Sequence, residues 1–554
     1  MALDLTPEQK AQGKQNFDQA AGDLERLRRA NGKDDPTRRT FMKSALAAGA
    51  VVPVSSAVYF GYDAWKGNKA VRLALIGCGD EGGVLVGDHN PEYTQIVAVC
   101  DVRPTNLERI FTGDLKPDGT PNPDTPRKGL NKIYGAEEAK KIKTYDDLDK
   151  LLADKTMLGL DGVIVATPLV THRPIVEKCL DAGLHVLCEK LMARTVEDCK
   201  AMIRKAKEKG LLLSIGHQRH YSMLYAHALE VVQSGILGDV KHIRALWHRN
   251  NTSPRAFTKK DLAEIAPGTD LPMFRDTWYP PILKKDAEAL PADRLKALGF
   301  DTIQELIRWR TYNKTGGGLM AELGSHQLDA ASIFLGKVKP LSVVGTGMRS
   351  YYGTKPNPTK RDDGWLTDKN PRECHDGVFV TFEFPGAEHS AAGKGGKNDD
   401  DIVMVTYSSF STNGFEKYGE CIMGSKGTLI TEEEREVYLF KEGGAAPRDT
   451  GVTVTGGGDK KPALEAAASS YTGGGAAISK GSTAPKWDSD VRGYRTEFEH
   501  FAYCIRRWQE LKQPVSYEKK DGKWVHADIL PRCHGEIAMA DAILALTANM
   551  SMNK

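Results

Sequence analysis

Between Val71 and Ile215 five short apolar runs recur: Val71 to Ile76, Ile96 to Cys100, Gly162 to Ala166, His185 to Cys188 and Leu211 to Ile215. Runs of this length without polar alternation suit strands buried on both faces, the condition of a parallel sheet sandwiched by helices. Helix-compatible stretches lie between them, including Thr171 to Ala182 and Thr195 to Lys209. The alternation predicts a doubly wound α/β domain over residues 70–215. A polar insert from Thr112 to Lys132, dense in Pro, Gly and Asp, is expected as a surface excursion.

The first run ends in Gly77-Cys78-Gly79-Asp80-Glu81-Gly82, a GxGxxG turn between a strand and a predicted helix. Such a turn lets the backbone approach a pyrophosphate, which the unpaired amides of the helix N-terminus then hold. By itself the motif is weak, and a structural glycine turn without ligand is the competing reading. Asp101 closes the second run 19 residues after Gly82, where a carboxylate accepts the ribose hydroxyls of NAD. It would repel a 2′-phosphate, so NAD is the expected cofactor. Arg103, two residues on, keeps NADP open. These features make the first domain a Rossmann-type dinucleotide-binding domain.

After Gly216 the pattern changes. A helix is expected from Tyr221 to Ser234, then a half-buried strand in which Ile243, Ala245 and Trp247 alternate. Further strand candidates at Leu341 to Gly345, Val378 to Phe384, Asp401 to Ser408, Glu420 to Met423 and Gly427 to Thr431 predict a large, mostly antiparallel sheet. Residues 216–554 thus read as an α+β substrate and oligomerisation domain, with helices returning at Tyr494 to Trp508 and Gly535 to Asn549. Low-complexity loops fall near 386–400 and 443–486.

Composition excludes several classes. The net charge of +3 and the absence of a basic stripe argue against a nucleic-acid partner. Nine cysteines, an odd number with no CxxC pair, read as buried thiols, so neither a disulfide framework nor a metal site is expected. Residues 1–69 read as a leader. Within it Thr37-Arg38-Arg39-Thr40-Phe41-Met42-Lys43 precedes a weakly apolar run from Ala45 to Phe60, which looks like a twin-arginine export signal and implies a periplasmic or otherwise exported protein. Ser55-Ser56-Ala57 is a passable cleavage site; an uncleaved leader would leave a membrane tether.

Chemistry concentrates in two places. The fourth run leads into Glu189 and Lys190 at a strand's carboxyl end, beside Thr167, Pro168 and His172 from the preceding strand end. Ligands of open α/β sheets bind at such ends. Far downstream, GGGLMAELGSHQLD (316–329) places Glu322 and His326 four residues apart, on one face of a helix, where a carboxylate and an imidazole tune each other for proton transfer. A core histidine with a solvated glutamate is the plainer alternative. With these motifs in this order, the chain resembles the glucose–fructose oxidoreductase, inositol dehydrogenase and MocA (Gfo/Idh/MocA) family from Val71 to the C-terminus.

The resemblance implies a role for each matching position. Lys190 stands for the lysine of the family's Glu-Lys-Pro motif, expected to contact the nicotinamide ribose and the substrate hydroxyl; Leu191 replaces the proline. His326 stands for the histidine that moves the proton, and Glu322 for an aspartate one methylene shorter. Asp329 has an anchoring role as its alternative. Lys190, His326 and Glu322 are therefore the catalytic candidates, and Gly77, Gly79, Asp80, Glu81, Gly82, Asp101, Thr167, Pro168, His172, Glu189 and Lys190 the cofactor-binding ones.

His217, Arg219, His220 and Tyr221 follow the last strand, where the family lines its substrate cleft; they serve a polyhydroxylated ligand or satisfy one another at the junction. Trp309 and Arg310, with Tyr312, offer a sugar-stacking platform or a piece of core, and Trp247-His248-Arg249-Asn250 is a weaker candidate of the same kind. The implied activity is hydride transfer between a sugar, cyclitol or related polyol and a tightly bound nicotinamide, in a homo-oligomer. An NAD-dependent glycoside hydrolase, working by transient oxidation, elimination, hydration and re-reduction, is the second reading.

Overall fold

The computed structural model describes residues 5–30, 56–62, 69–116, 118–251, 259–269, 271–272, 276–352, 366–367, 372–441, 452–455, 463–466, 492–511 and 514–553. The twin-arginine segment Thr37 to Lys43 and most of the 443–486 stretch lie outside the described residues. No helix among those described is long and apolar enough to cross a membrane.

The first unit is a six-stranded sheet built from β1 (Val71–Ile76), β2 (Thr94–Cys100), β3 (Lys143–Tyr145), β4 (Gly162–Val165), β5 (His185–Glu189) and β6 (Leu213–Gly216), ordered β3-β2-β1-β4-β5-β6. All neighbours are parallel. Strand order reverses between β1 and β4, and at that switch point an open α/β sheet receives its ligand. β3 has no counterpart among the apolar runs. Its three residues lie at the sheet edge and are mostly exposed, so burial never imposed an apolar pattern on them.

Helix Val196–Lys209 shows why these segments fold locally as they do. The Thr195 side chain accepts the Asp198 amide at its start, Gly210 ends it in the left-handed region, and Cys199, Met202, Ile203 and Ala206 face inward.

The second unit is a seven-stranded sheet. Its order is Glu436–Lys441, Gly427–Glu432, Tyr418–Gly424, β7 (Val240–His248), Ile402–Phe410, Gly377–Pro385 and Ser342–Met348. It is antiparallel except at its centre, where β7 and Ile402–Phe410 run parallel. Strand Ile402–Phe410 alternates buried and half-buried positions, as a sheet with one packed face requires. The 386–400 stretch is a compact excursion between two paired strands, closed where the Gly386 amide donates to the Asp401 carbonyl at 2.7 Å.

The C-terminal helices tie the two units together. Phe498, Phe501 and Ile505 of helix Tyr494–Glu510 share a core with Leu73, Leu75, Ile96 and Val99 of the first sheet; each such side chain contributes about 1.5–3 kcal/mol by burial. Helix Gly535–Met552 follows a segment whose Cys533 carbonyl accepts the Ile215 amide of β6 at 2.9 Å. At the opposite edge helix Pro7–Ala30 covers the outermost strand: Lys10 pairs with Glu432, Lys14 with Glu436, and Asn16 donates to the Leu439 carbonyl. Covering an edge strand in this way blocks pairing with other chains.

Candidate functional site

The glycine turn divides its labour. A Cβ on Gly77 (φ +95°) would fall 2.2 Å from the Ala166 carbonyl oxygen, and one on Gly82 would fall 2.1 Å from the Gly77 carbonyl oxygen, so both serve packing. A Cβ on Gly79 would meet nothing nearer than 4.0 Å. The middle glycine therefore faces open space at the start of helix Asp80–Asp88, whose first turn has no side-chain cap. This cradle fits a dinucleotide pyrophosphate, held by backbone amides. The Asp80 and Glu81 carboxylates bear the wrong sign for such a ligand; Asp80 is turned to Arg109 at 2.9 Å.

At the adenosine end, Asp101 accepts the Cys78 amide (2.7 Å), Asn106 Nδ2 (3.0 Å) and the Arg103 amide (2.8 Å). Arg103, the residue that left NADP open, is engaged elsewhere. Its Nε and Nη2 donate to Asp286 Oδ2 at 3.0 and 2.9 Å, and Asp286 is fully buried on helix Lys284–Ala289. Thr105 donates to the same carboxylate. Nothing in the local sequence signals this contact, because the partners stand 183 residues apart.

The carboxyl ends of β4 and β5 are stapled by His172, whose Nδ1 lies 3.0 Å from the Leu191 carbonyl oxygen and Nε2 3.0 Å from that of Thr167. Thr167 and Pro168 themselves accept the Thr171 hydroxyl. Where leucine stands for proline, the Lys190–Leu191 peptide is cis. The Lys190 ammonium donates to the Glu322 carbonyl oxygen at 2.9 Å. Glu189 is buried, and burial together with the nearby Glu81 charge lifts its carboxyl well above the usual range, against the opposing Lys190 charge.

Glu322 lies in a π-helical turn, Met320–Gly324, directly ahead of helix Ser325–Phe334. Turns of this kind recur at functional sites. Its carboxylate is not the partner of His326: Oε2 accepts Arg310 Nε at 2.6 Å. Burial opposes ionisation of Glu322, but Arg310 and Lys190 outweigh it and hold its carboxyl below the usual value. His326 makes no hydrogen bond among the described residues, and its buried Nδ1 is unpartnered. Burial, then the Lys190 and Arg219 charges, push this imidazole well below its ordinary value. It is neutral at pH 7 and able to accept a proton.

In the 217–221 segment three side chains are engaged with neighbouring groups, as the junction reading expects, while both His217 ring nitrogens are left without a hydrogen bond. Arg219 is buried, with Nη2 donating to Glu434 at 2.5 Å and to Gln327 at 3.1 Å. Tyr221 shares a hydrogen bond with Ser214 and accepts the Cys533 amide. His220 bonds Asp329 at 2.9 Å, and His217 is buried 3.8 Å from the same carboxylate. Asp329 anchors this cluster, with the Lys337 ammonium joining it to Asp541 at 2.5 and 2.7 Å. His217, Asp329 and Asp541 bring potential metal-ligating atoms within 4.8 Å of one another, but the lysine already supplies the cation between the two carboxylates.

Aromatic side chains gather around His326 and Arg310. Trp247 stacks on Tyr418 (centroids 4.4 Å, planes 15° apart) and lies 5.3 Å from the His326 ring. The Arg310 guanidinium rests over Trp309 at 4.3 Å. The glycine run permits this closeness, since a Cβ on Gly316 would sit 2.8 Å from the Trp309 carbonyl oxygen.

A parallel sheet with an open pyrophosphate cradle at its switch point and Lys190 at the end of β5, joined to a second unit whose helix Ser325–Phe334 brings His326, defines a two-domain NAD-binding protein. The model of the oxidoreductase family with an NAD-binding Rossmann fold matches residues 71–217, and that of the same family's C-terminal alpha/beta domain matches 296–516. The chain belongs to this Gfo/Idh/MocA oxidoreductase family.

A glycosyl hydrolase family 109 protein of Stenotrophomonas maltophilia is 29% identical over 211 residues, 38% of this chain and 41% of that protein. Inositol 2-dehydrogenase 1 of Saccharopolyspora erythraea is 30% identical over 132 residues, 24% of this chain and 38% of that one. The chain thus spans well under two thirds of either relative. The crystal structure of an oxidoreductase from Pseudomonas syringae shares the fold at 13% identity, with a TM-score of 0.50 over 88% of this chain and 98% of that one.

Proposed function

We propose that the protein is an exported NAD(P)-dependent oxidoreductase acting on the CH–OH group of a sugar, cyclitol or related polyol. The observation that carries this reading is the Lys190 ammonium bound to the main chain of the turn just ahead of neutral His326, at the carboxyl end of β5. A nicotinamide, when bound, supplies the hydride acceptor or donor. Lys190 binds the substrate hydroxyl oxygen and stabilises the negative charge that develops as its proton leaves. His326 accepts that proton, and returns it in the reverse direction. Glu322, ionised and locked to Arg310, fixes the turn that presents both groups.

Tight retention of the cofactor belongs to the same proposal. Leu290, Leu295, Phe300 and Leu306 pack against Val102 and Val170, next to Asp101 and near Pro168, which supports slow exchange. So does export, since free NAD is scarce outside the cytoplasm and the twin-arginine route carries folded proteins. The residues flanking the arginine pair dock on the folded body on both sides, through Lys10 and Lys14 before it and Tyr59 to Glu230 after it. This arrangement suits a leader kept as a tether. The outward sheet face carries Val344 and Phe379 exposed, as pairing with a second copy would use.

Denaturing the purified protein and weighing any released dinucleotide tests the cofactor; screening the intact protein on free sugars and aryl glycosides tests the reaction. A protein with no bound or bindable nicotinamide nucleotide overturns the proposal. The similarity to a family 109 glycosyl hydrolase protein favours one second reading, hydrolysis. Leaving-group release from aryl glycosides without net nicotinamide reduction selects it.

A further inference from the structure

We propose that the substrate of this site bears an anionic group, a carboxylate or a phosphate on its sugar, and that Arg249 receives it. The inference rests on the reading of the site given above and deepens it. Along β7 the residues Ile243, Ala245 and Trp247 point inward. The Arg249 amide donates to the Phe410 carbonyl at 2.8 Å, so the ladder runs one step past the strand and Arg249 follows Trp247 on the same face. Its guanidinium lies 4.9 Å over the Trp247 ring, which also stacks on Tyr418 and has the His326 ring at 5.3 Å. The same indole thus neighbours both this arginine and the imidazole that handles the proton.

Arg249 differs from the other arginines around the site. Arg219 is matched by Glu434, Arg310 by Glu322 and Arg103 by Asp286. Among the described residues Arg249 has no carboxylate partner, yet its side chain is open to solvent, as a cleft-lining group must be.

Lys190 and Arg310 act on the ionised Glu322, and Arg310 also feels Asp80 and Glu81, which leaves Arg249 without a carboxylate of its own among the described residues. A cation in such surroundings is stabilised by an incoming anion, and the planar guanidinium matches carboxylate or phosphate oxygens two at a time. The cofactor's pyrophosphate has its own cradle at Gly79, on the other domain. Trp247 beside the arginine offers the apolar face on which a sugar ring stacks, with the acidic group reaching past it.

The test uses the full-length protein loaded with NADH and three matched pairs: glucose and glucuronate, glucose and glucose 6-phosphate, inositol and inositol phosphate. Calorimetry on this form gives each dissociation constant, and turnover is followed in parallel on the protein loaded with NAD+, which accepts the hydride that the alcohol gives up. The expected result is that one acid binds about 10- to 100-fold tighter than its neutral partner, the two acid classes separating carboxylate from phosphate. Arg249→Gln collapses that ratio towards one, and Arg249→Lys restores part of it. Neutral partners bound as tightly as the acids, or a ratio unchanged in Arg249→Gln, would overturn the inference. If neutral polyols alone are oxidised, the oxidoreductase reading stands and this one falls; if the protein takes up no dinucleotide, both fall.

Discussion

Asp286 controls the choice between NAD and NADP, although it lies 183 residues from the arginine it holds. In the native structure Arg103 gives Asp286 two of its donors, at 3.0 and 2.9 Å, and the Asp286 carboxylate is buried. An arginine two residues after the ribose-binding acid is the group that would accept a 2′-phosphate, and here its charge is already neutralised. Asp286→Asn keeps an oxygen for the Thr105 amide and hydroxyl but removes the charge that fixes the guanidinium. One charge-assisted hydrogen bond from Arg103 to a 2′-phosphate is worth about 1.5–3 kcal/mol, so NADP should gain about 10- to 100-fold relative to NAD. Asp101 remains and still repels the phosphate, which places the gain towards the lower end. The assay is competitive equilibrium dialysis of NAD against NADP, with circular dichroism to show an intact fold. A preference ratio that moves less than about threefold in a folded variant refutes the argument.

His326→Ala should lower turnover on whichever substrate the screen identifies by about 10²- to 10⁴-fold, with dinucleotide still recovered from the denatured protein; a wild-type rate would remove the imidazole from the mechanism. Acid should destabilise the fold. Burial holds His185, His217, His500 and His534 at about 3 and His89 at about 4, so below 6.5 the unfolded chain binds protons that the native state refuses. Stability is complete above that pH and falls by roughly 1.4 kcal/mol per histidine per pH unit beneath it. Urea midpoints that stay level from pH 7.5 to 5.5 would contradict this. Gly13 brings helix Pro7–Ala30 so close to the edge strand that a Cβ would lie 2.7 Å from Phe440 and Tyr438. Gly13→Leu should therefore undock the helix and expose the edge, read as faster proteolysis of the N-terminus and concentration-dependent aggregation.

The first domain was legible because double-sided burial writes a continuous apolar run, and because the glycine turn answers to sterics within a few residues. β3 escaped for the same reason reversed: an exposed edge strand of three residues carries no apolar signature. In the second domain the strand Glu436–Lys441 and the helix that covers it went unseen, since that helix is mostly polar in sequence and, among its described side chains, buries only Gly13, Phe17 and Ala20. The spacing of Glu322 and His326 was visible, but the turn between them and the assignment of Glu322 to Arg310 were not. An ion pair between two side chains 12 residues apart leaves no periodic trace. The polar run His217 to Tyr221 was ambiguous in principle: the same donors and acceptors serve a ligand or one another, and the pairings with Asp329 and Glu434 come from residues more than 100 positions away.

The electrostatics of the site favour one group for moving a proton. Three carboxyls lie close to the reaction centre, and each is committed differently. Glu189 is lifted well above the usual carboxylate range by burial and the Glu81 charge, with Lys190 opposing. Glu322 is ionised by Arg310 and Lys190. Asp329, despite its burial, is held well below the usual carboxylate range by His220 and Lys337. His326 combines an unpartnered nitrogen with a neutral ground state and a neighbouring cation that discourages early protonation; His217 shares these properties but lies 3.8 Å from the Asp329 carboxylate. The cation beside His326 is Lys190, the group proposed to stabilise the substrate oxygen as it loses its proton. Replacing Lys190 with Met would therefore raise the affinity of His326 for a proton and at the same time weaken the acidity of the bound hydroxyl. The acid limb of the pH–rate profile should move to higher pH as turnover falls, whereas a lysine that only braced the turn at Glu322 would leave that limb in place.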